Sequence, residues 1–347
     1  MKTSSASARI LVLTSTFPRW HGDVEPPFVL ELCRRLTAHF KIHVLAPHAA
    51  GSQSETTFDG IRVTRYRYFF PHWESLAYHG GILANLRQKP YRYALIPFFI
   101  LFQILAIQKL LRRFRFDLIH AHWIIPQGTC AVIANRLHST ILPILCTSHG
   151  GDLYGLSSRV MMWLKRRVLE KTIAVTTVSR AMRKDLDALG VRLEKVHVLP
   201  MGVDLQKRFV PPCKRSETKA LLFVGRVVEK KGLRFLIEAM PDILTKHPDA
   251  HLRVAGDGQE LSALKNRASH IGVADRIQFL GAVPNENLAA LYQTSDVVVF
   301  PSVVADGGDR EGFGLVLVEA LGCECAVVAT DLPAMQDIIE DERTALI

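Results

Sequence analysis

The chain has 347 residues, 48% of them hydrophobic and 22% charged, which excludes a disordered polymer and leaves room for two or so domains, each with a sizeable core. Its formal net charge of +10 favours an anionic partner, but no basic block with interleaved aromatics and no nucleic-acid module is recognisable, so nucleic acid is not expected. Six scattered cysteines (33, 130, 146, 213, 323 and 325), with only the last two close together, exclude a zinc framework and point to reduced, mostly buried thiols in a cytoplasmic protein.

The first apolar run, 10–13, is too short for a signal-peptide core and reads as the start of a strand over 10–15. Residues 27–40 carry Phe28, Leu32, Leu36 and Phe40 at helical spacing, and 42–46 and 61–65 read as strands. In 94–107 only Gln103 is strongly polar; Arg87, Lys89 and Arg92 precede the run, and Lys109, Arg112, Arg113 and Arg115 follow it. No uninterrupted run reaches the length of a membrane span. Apolar bulk flanked by cations is the composition of a helix lying on anionic lipid, with an ordinary core helix as the alternative. An anionic membrane surface is therefore an expected partner of 87–115, with the protein peripheral at the inner face of the cell membrane.

Further strands are expected at 118–121, 144–147, 174–178 and 196–199. Residues 205–219, with Pro211-Pro212 and many charges, read as a linker, after which strands recur at 221–224, 252–255, 277–280, 297–300 and 326–329. Apolar runs without alternation suggest sheets covered on both faces. The fold class is α/β: two doubly wound Rossmann-like domains, 1–204 and 205–347, with ligands at the strand carboxyl ends in the cleft they face.

Two segments carry the chemistry. The strand at 297–300 leads through a loop to Glu311-Gly312-Phe313-Gly314-Leu315 and an apolar helical run containing Glu319. A strand, a glycine loop and a helix start put backbone N–H groups where a phosphate can sit. Glu311 lies in the loop and can point at a ligand beyond the phosphate. Glu319, among Val318, Ala320 and Leu321, needs either water or a hydrogen-bonding partner such as a ribose diol. Arg226 and Lys231 flank a turn between the strand at 221–224 and a helix over 233–240, a location suited to cations that neutralise a diphosphate.

Gly225-Arg226…Lys231-Gly232 followed by Glu311-(seven residues)-Glu319 resembles the donor half of the family 4 retaining glycosyltransferases, which have the GT-B fold. Pro200-Met201-Gly202-Val203-Asp204, Val254-Ala255-Gly256-Asp257-Gly258 and Phe279-Leu280-Gly281 fit the same pattern, as do Phe17-Pro18…Gly22, His120-Ala121-His122 and Ser148-His149-Gly150-Gly151-Asp152 in the first half. The resemblance implies a nucleotide-sugar donor and a glycan or lipid-linked acceptor in cell-envelope polysaccharide synthesis, with anomeric configuration retained and no cofactor or metal required. It implies that Arg226 and Lys231 hold the diphosphate, helped by Gly225 and by the backbone around Phe313, Gly314 and Leu315. Glu319 would bind ribose, and Glu311 and His149 the donor sugar. Gly22, His122 and Asp152 would lie on the acceptor side, with His120 packing inside. Asp306 and Asp309, with Gly307-Gly308 between, read as a solvated loop, with a metal site there as the alternative.

Met201 stands where the family often has asparagine, and the chain ends 28 residues after Glu319, where members usually continue with another strand and helices. The second domain is thus expected to be incomplete at its C-terminus, with exposed apolar surface and reduced stability. A GT-B epimerase and a catalytically impaired homologue serving as a binding or membrane-scaffold protein are the alternatives. A nicotinamide-dependent dehydrogenase is not, because Thr14-Ser15-Thr16-Phe17-Pro18 supplies no Gly-x-Gly-x-x-Gly.

Overall fold

In the computed structural model, which describes residues 7–214 and 218–347, the short apolar runs form strands of two mostly parallel sheets. The chain divides into two units, Met1–Met201 and Gly202–Ile347.

The first unit carries β1 (Arg9–Leu13), β2 (Lys41–Pro47), β3 (Glu55–Phe58), β4 (Ile61–Tyr66), β5 (Leu118–His122), β6 (Ile144–Ser148), β7 (Ala174–Thr177) and β8 (Val196–Val198). Their order in the sheet is β3-β4-β2-β1-β5-β6-β7-β8, and all pairs are parallel except β3 with β4. The β3–β4 hairpin was not expected. It turns on Asp59-Gly60, both at positive φ (49° and 80°), the signature of a two-residue turn whose twist matches its strands. Strand order reverses at β1, between β2 and β5, so the loops leaving β1, β5 and β6 open at the position where doubly wound sheets bind ligands.

The second unit carries β9 (Ala220–Val224), β10 (His251–Ala255), β11 (Ile277–Gly281), β12 (Val297–Phe300) and β13 (Ala326–Ala329), all parallel, in the order β11-β10-β9-β12-β13. Here the reversal falls at β9, between β10 and β12. Those are the strands that lead into Arg226 and toward Glu311. The helix expected to end before Pro241 continues through it, spanning Leu233–Lys246. Of the expected linker, 215–217 lie outside the described residues. Phe209 is buried in the second unit's core, its ring 5.8 Å from that of Tyr292, so this part of the linker belongs to the domain.

The apolar segment at 94–107 forms the longer helix Ile96–Arg113, entered through a 3-10 turn at Pro90–Leu95. The expectation that nothing reaches span length is corrected. Pro90–Arg113 is long and apolar enough to cross a membrane by length and composition, although 39% of its apolar window is buried inside the protein. Helical structure simply continues past the cations that seemed to bound the run.

Candidate functional site

In the second unit, two loops from adjacent strands are joined. The chain leaves β9 through Gly225 and Arg226 to a 3-10 turn at Glu229–Lys231. Gly232 ends that turn at φ 65°, and a Cβ there would lie 1.7 Å from the carbonyl oxygen of Pro301, so only glycine lets the turn rest against the end of β12. Val303 N–H donates to the Lys230 carbonyl (2.9 Å), and Asp306 N–H donates to Glu229 Oε1 (3.0 Å). Basic and acidic loops thus form one wall.

Lys231 Nζ lies 3.1 Å from Glu311 Oε2 and 5.0 Å over the Phe300 ring. Lys230 Nζ lies 3.1 Å from Asp309 Oδ1 and 3.7 Å from Glu311 Oε1. Burial pushes the Glu311 carboxyl up, but Lys231 and Lys230, with Arg226, outweigh it and hold its pKa at about 2. The same burial lowers Lys231, against the pull of Glu311. Glu311 Oε1 is buried without a hydrogen bond, an acceptor position with spare capacity. Asp309, expected in a solvated loop, is instead paired with Lys230.

Glu319 projects from the helix Leu315–Gly322, which Gly314 starts at φ 130°. The solvent-facing alternative for Glu319 does not hold: the residue is 7% exposed, and Tyr292 Oη donates to its Oε2 at 2.7 Å. Burial raises its pKa to about 7 despite that hydrogen bond. Leu317 and Ala320 share the buried side of this short helix, which is why Glu319 is turned inward. The first N–H groups of the helix, near Phe313, Gly314 and Leu315, lack intrahelical partners by geometry and follow Glu311 in the chain by a few residues.

In the first unit, His149 follows β6 and meets His122 at the end of β5. Their rings stack (13°, centroids 5.2 Å apart), and His122 Nδ1 lies 2.9 Å from His149 Nε2. Trp123 and Phe28 pack on the His149 ring at 4.8 and 5.1 Å. Trp123 holds φ 78° and ψ 134°, a conformation rarely adopted outside glycine, and so carries backbone strain beside His149. Burial lowers His149 to about 3, helped by His120, and His122 well below its usual range. The imidazoles are therefore neutral near pH 7.

Two acceptor-side expectations are corrected. Asp152 is buried, and its oxygens accept from Ile124 N–H (2.7 Å), Ser148 Oγ (3.0 Å) and His149 N–H (3.1 Å); it fixes the loop that carries His149 instead of facing an acceptor. His122 is fully buried and can act only through His149. His120 is also buried, with its Nε2 2.7 Å from Thr147 Oγ1. Gly22 sits exposed in a turn at φ 76°, anchored by the buried Arg19–Asp23 ion pair (2.7 Å).

Lys230, Tyr292 and Trp123 were not singled out from sequence, and Phe28 only as part of a helix face. Only Lys230 left a signal, as the neighbour of Lys231. Among the described residues, no group of three or more His, Cys, Asp or Glu is placed to hold a metal ion.

The sequence model of Glycosyltransferase Family 4 matches residues 27–207, and that of Glycosyl transferases group 1 matches 206–347. The chain is 30% identical to an uncharacterised glycosyltransferase of Methanocaldococcus jannaschii, over 66% of this chain and 61% of that one. It is also 30% identical to a phosphatidyl-myo-inositol mannosyltransferase of Mycobacterium tuberculosis, over 68% and 60%. These matches thus span about three-fifths of the relatives' length. Among solved structures, sucrose-phosphate synthase from Thermosynechococcus elongatus superposes with a TM-score of 0.75 at 20% identity, covering 98% of this chain and 85% of that one. Anabaena HepE, in complex with UDP and glucose, gives 0.68 at 17%, covering 97% and 84%. At these identities the structures establish the GT-B fold alone.

Proposed function

We propose, from the premise that this chain belongs to glycosyltransferase family 4, that it transfers a sugar from a nucleotide-sugar, with retention of configuration and without a divalent metal. The acceptor in this reading is a glycan or lipid-linked intermediate of cell-envelope polysaccharide synthesis, met at the cytoplasmic face of the membrane. The observation that carries the reading is the contact of Lys231 and Lys230 with Glu311, beside Arg226 and the start of the Leu315–Gly322 helix.

The leaving group of such a transfer is a nucleoside diphosphate, whose charge grows as the glycosidic bond breaks. Lys231, desolvated and held by the joined loops, and the exposed Arg226 beside it stabilise that charge, an electrostatic effect that is often the largest single catalytic one. They supply the positive charge that a bound metal provides elsewhere. Glu311 Oε1, buried and lacking a hydrogen bond, accepts from a donor-sugar hydroxyl. Glu319 takes the ribose hydroxyls while keeping its bond from Tyr292. Neutral His149 contacts a sugar hydroxyl as an uncharged hydrogen-bonding group. The mannosyltransferase relative, named for a phosphatidylinositol, supports a lipid-borne acceptor. The UDP bound in HepE supports a nucleoside diphosphate in this fold.

Product analysis tests this directly. Proton NMR of the product formed with EDTA present should give the anomeric coupling of the donor. Inverted configuration, or transfer only with added divalent metal, contradicts the reading.

A further inference from the structure

We propose that the outward stripe of the Ile96–Arg113 helix, with the aromatic residues just before it, docks in plane on an anionic phospholipid bilayer. This deepens the membrane location in the reading above by naming the surface that makes it. The inward face is fixed in the protein: Phe99, Ile107, Leu110 and Leu111 belong to the first unit's core, and Gln108 Nε2 donates to the carbonyl of Ala134. On the opposite face Phe98, Leu101, Phe102 and Leu105 follow one another at helical spacing, and each is 40–52% exposed. A helix on the surface of a soluble protein ordinarily places polar residues there. On the same stripe the last turn changes character, with Lys109, Arg112 and Arg113 all exposed.

The surface extends past the helix. Trp73, Tyr91 and Tyr93 are exposed, with Trp73 and Tyr91 6.4 Å apart, and Phe69 links Phe98 to exposed Phe70 at 5.2 Å on each side. Aromatic rings of this kind sit at the headgroup level of bilayers. At the cationic end a groove of about 720 Å³ is lined by Ile104, Leu105 and Leu137 together with Lys109, Arg112 and Arg113. An apolar floor with a cationic rim matches an acyl chain and its phosphate. From residue 75 to 116 the chain has seven Lys or Arg and no Asp or Glu. A second copy presenting this face would set cations against cations, so charge favours an anionic surface over self-association. The helix meets the length for a span, but its inward half is committed to the core. It therefore lies on the membrane and does not cross it.

The test is co-sedimentation of the full chain with phosphatidylcholine vesicles, with and without phosphatidylglycerol, at low and high salt. Wild type should bind the anionic vesicles and release with salt. Leu101→Ser/Phe102→Ser/Leu105→Ser should weaken binding at least ~tenfold. Lys109→Ser/Arg112→Ser should weaken it roughly twentyfold on anionic vesicles, with little change on neutral ones. If the apolar variant does not fold, the cation variant decides alone. No binding by wild type, equal binding by a folded variant, or a lipid-independent dimer in sedimentation velocity that the apolar variant abolishes would each overturn the proposal. Nucleoside diphosphate titration of the same variants separates the two readings. Lost vesicle binding with nucleotide binding intact supports the surface, and vesicle binding without any nucleotide site removes the transferase reading alone.

Discussion

Lys231 Nζ lies 3.1 Å from Glu311 Oε2, so the cation assigned to the diphosphate is neutralised by the carboxylate assigned to the sugar. Donor binding then exchanges or shares this pair and does not fill an unpaired charge. Removing the carboxylate frees Lys231 for the diphosphate, while Lys230 stays paired with Asp309. Glu311→Ala should therefore bind a nucleoside diphosphate as tightly as wild type, or up to ~tenfold tighter, while transfer falls at least ~hundredfold. Calorimetry and single-turnover assays check the two halves, and unchanged transfer would remove Glu311 from the mechanism.

The same pair has a stability consequence. Lys231→Ala leaves Glu311 buried with Lys230 as its nearer remaining cation, and should cost roughly 2–3 kcal/mol at neutral pH in urea unfolding. Glu311 ionises near 4.5 when unfolded and at about 2 when folded. Its contribution is thus full above about pH 4.5 and is lost as pH falls toward 2. Wild type should lose stability across that window more steeply than Lys231→Ala. Parallel slopes would show that Glu311 is not held by Lys231.

Glu319 has the opposite sign. Burial raises it from 4.5 to about 7, so the folded state holds a proton that the unfolded chain has released, and stability declines as pH rises from about 4.5 to 7. Glu319→Gln keeps an acceptor for Tyr292 without the charge. It should be more stable than wild type above pH 7, by on the order of 2 kcal/mol, and equal to it near pH 4. Its nucleotide affinity should fall, because ribose loses a carboxylate partner. Stabilisation with unchanged affinity would leave Glu319 a purely structural group.

His149 remains neutral down to about pH 3. The pH–rate profile between pH 5 and 8 should therefore show no limb from this residue, and NMR titration of the His149 ring should show no protonation in that range. A ring that titrates near 6.5 would contradict its burial against Phe28, Trp123 and His122.

Most strands could be read from the sequence because parallel strands covered on both faces must be continuous apolar runs, as in Val297–Phe300. β3 was missed because Glu-Thr-Thr-Phe has one apolar residue in four, although the Asp59-Gly60 turn was there to be read. The charged motif was legible as residue types at a spacing. Which lysine faces which carboxylate was not, because a single 3-10 turn sends Lys231 to Glu311 and Lys230 to Asp309. Tyr292 gave no signal, being one tyrosine in a helix whose partner lies on another. Asp152 looked like a loop carboxylate beside two glycines. Its burial comes from donors that adjacent strand ends bring together, a tertiary effect that spacing does not encode.

In the proposed function the second unit holds a nucleoside diphosphate on Arg226, Lys231 and the start of the Leu315–Gly322 helix. Calorimetric titration of the folded chain with UDP, GDP and ADP in turn, without added metal, tests it most directly. Binding should be saturable, prefer one of the three and be lost in Arg226→Ala/Lys231→Ala. No heat with any of them, from a protein that still melts cooperatively, would contradict it.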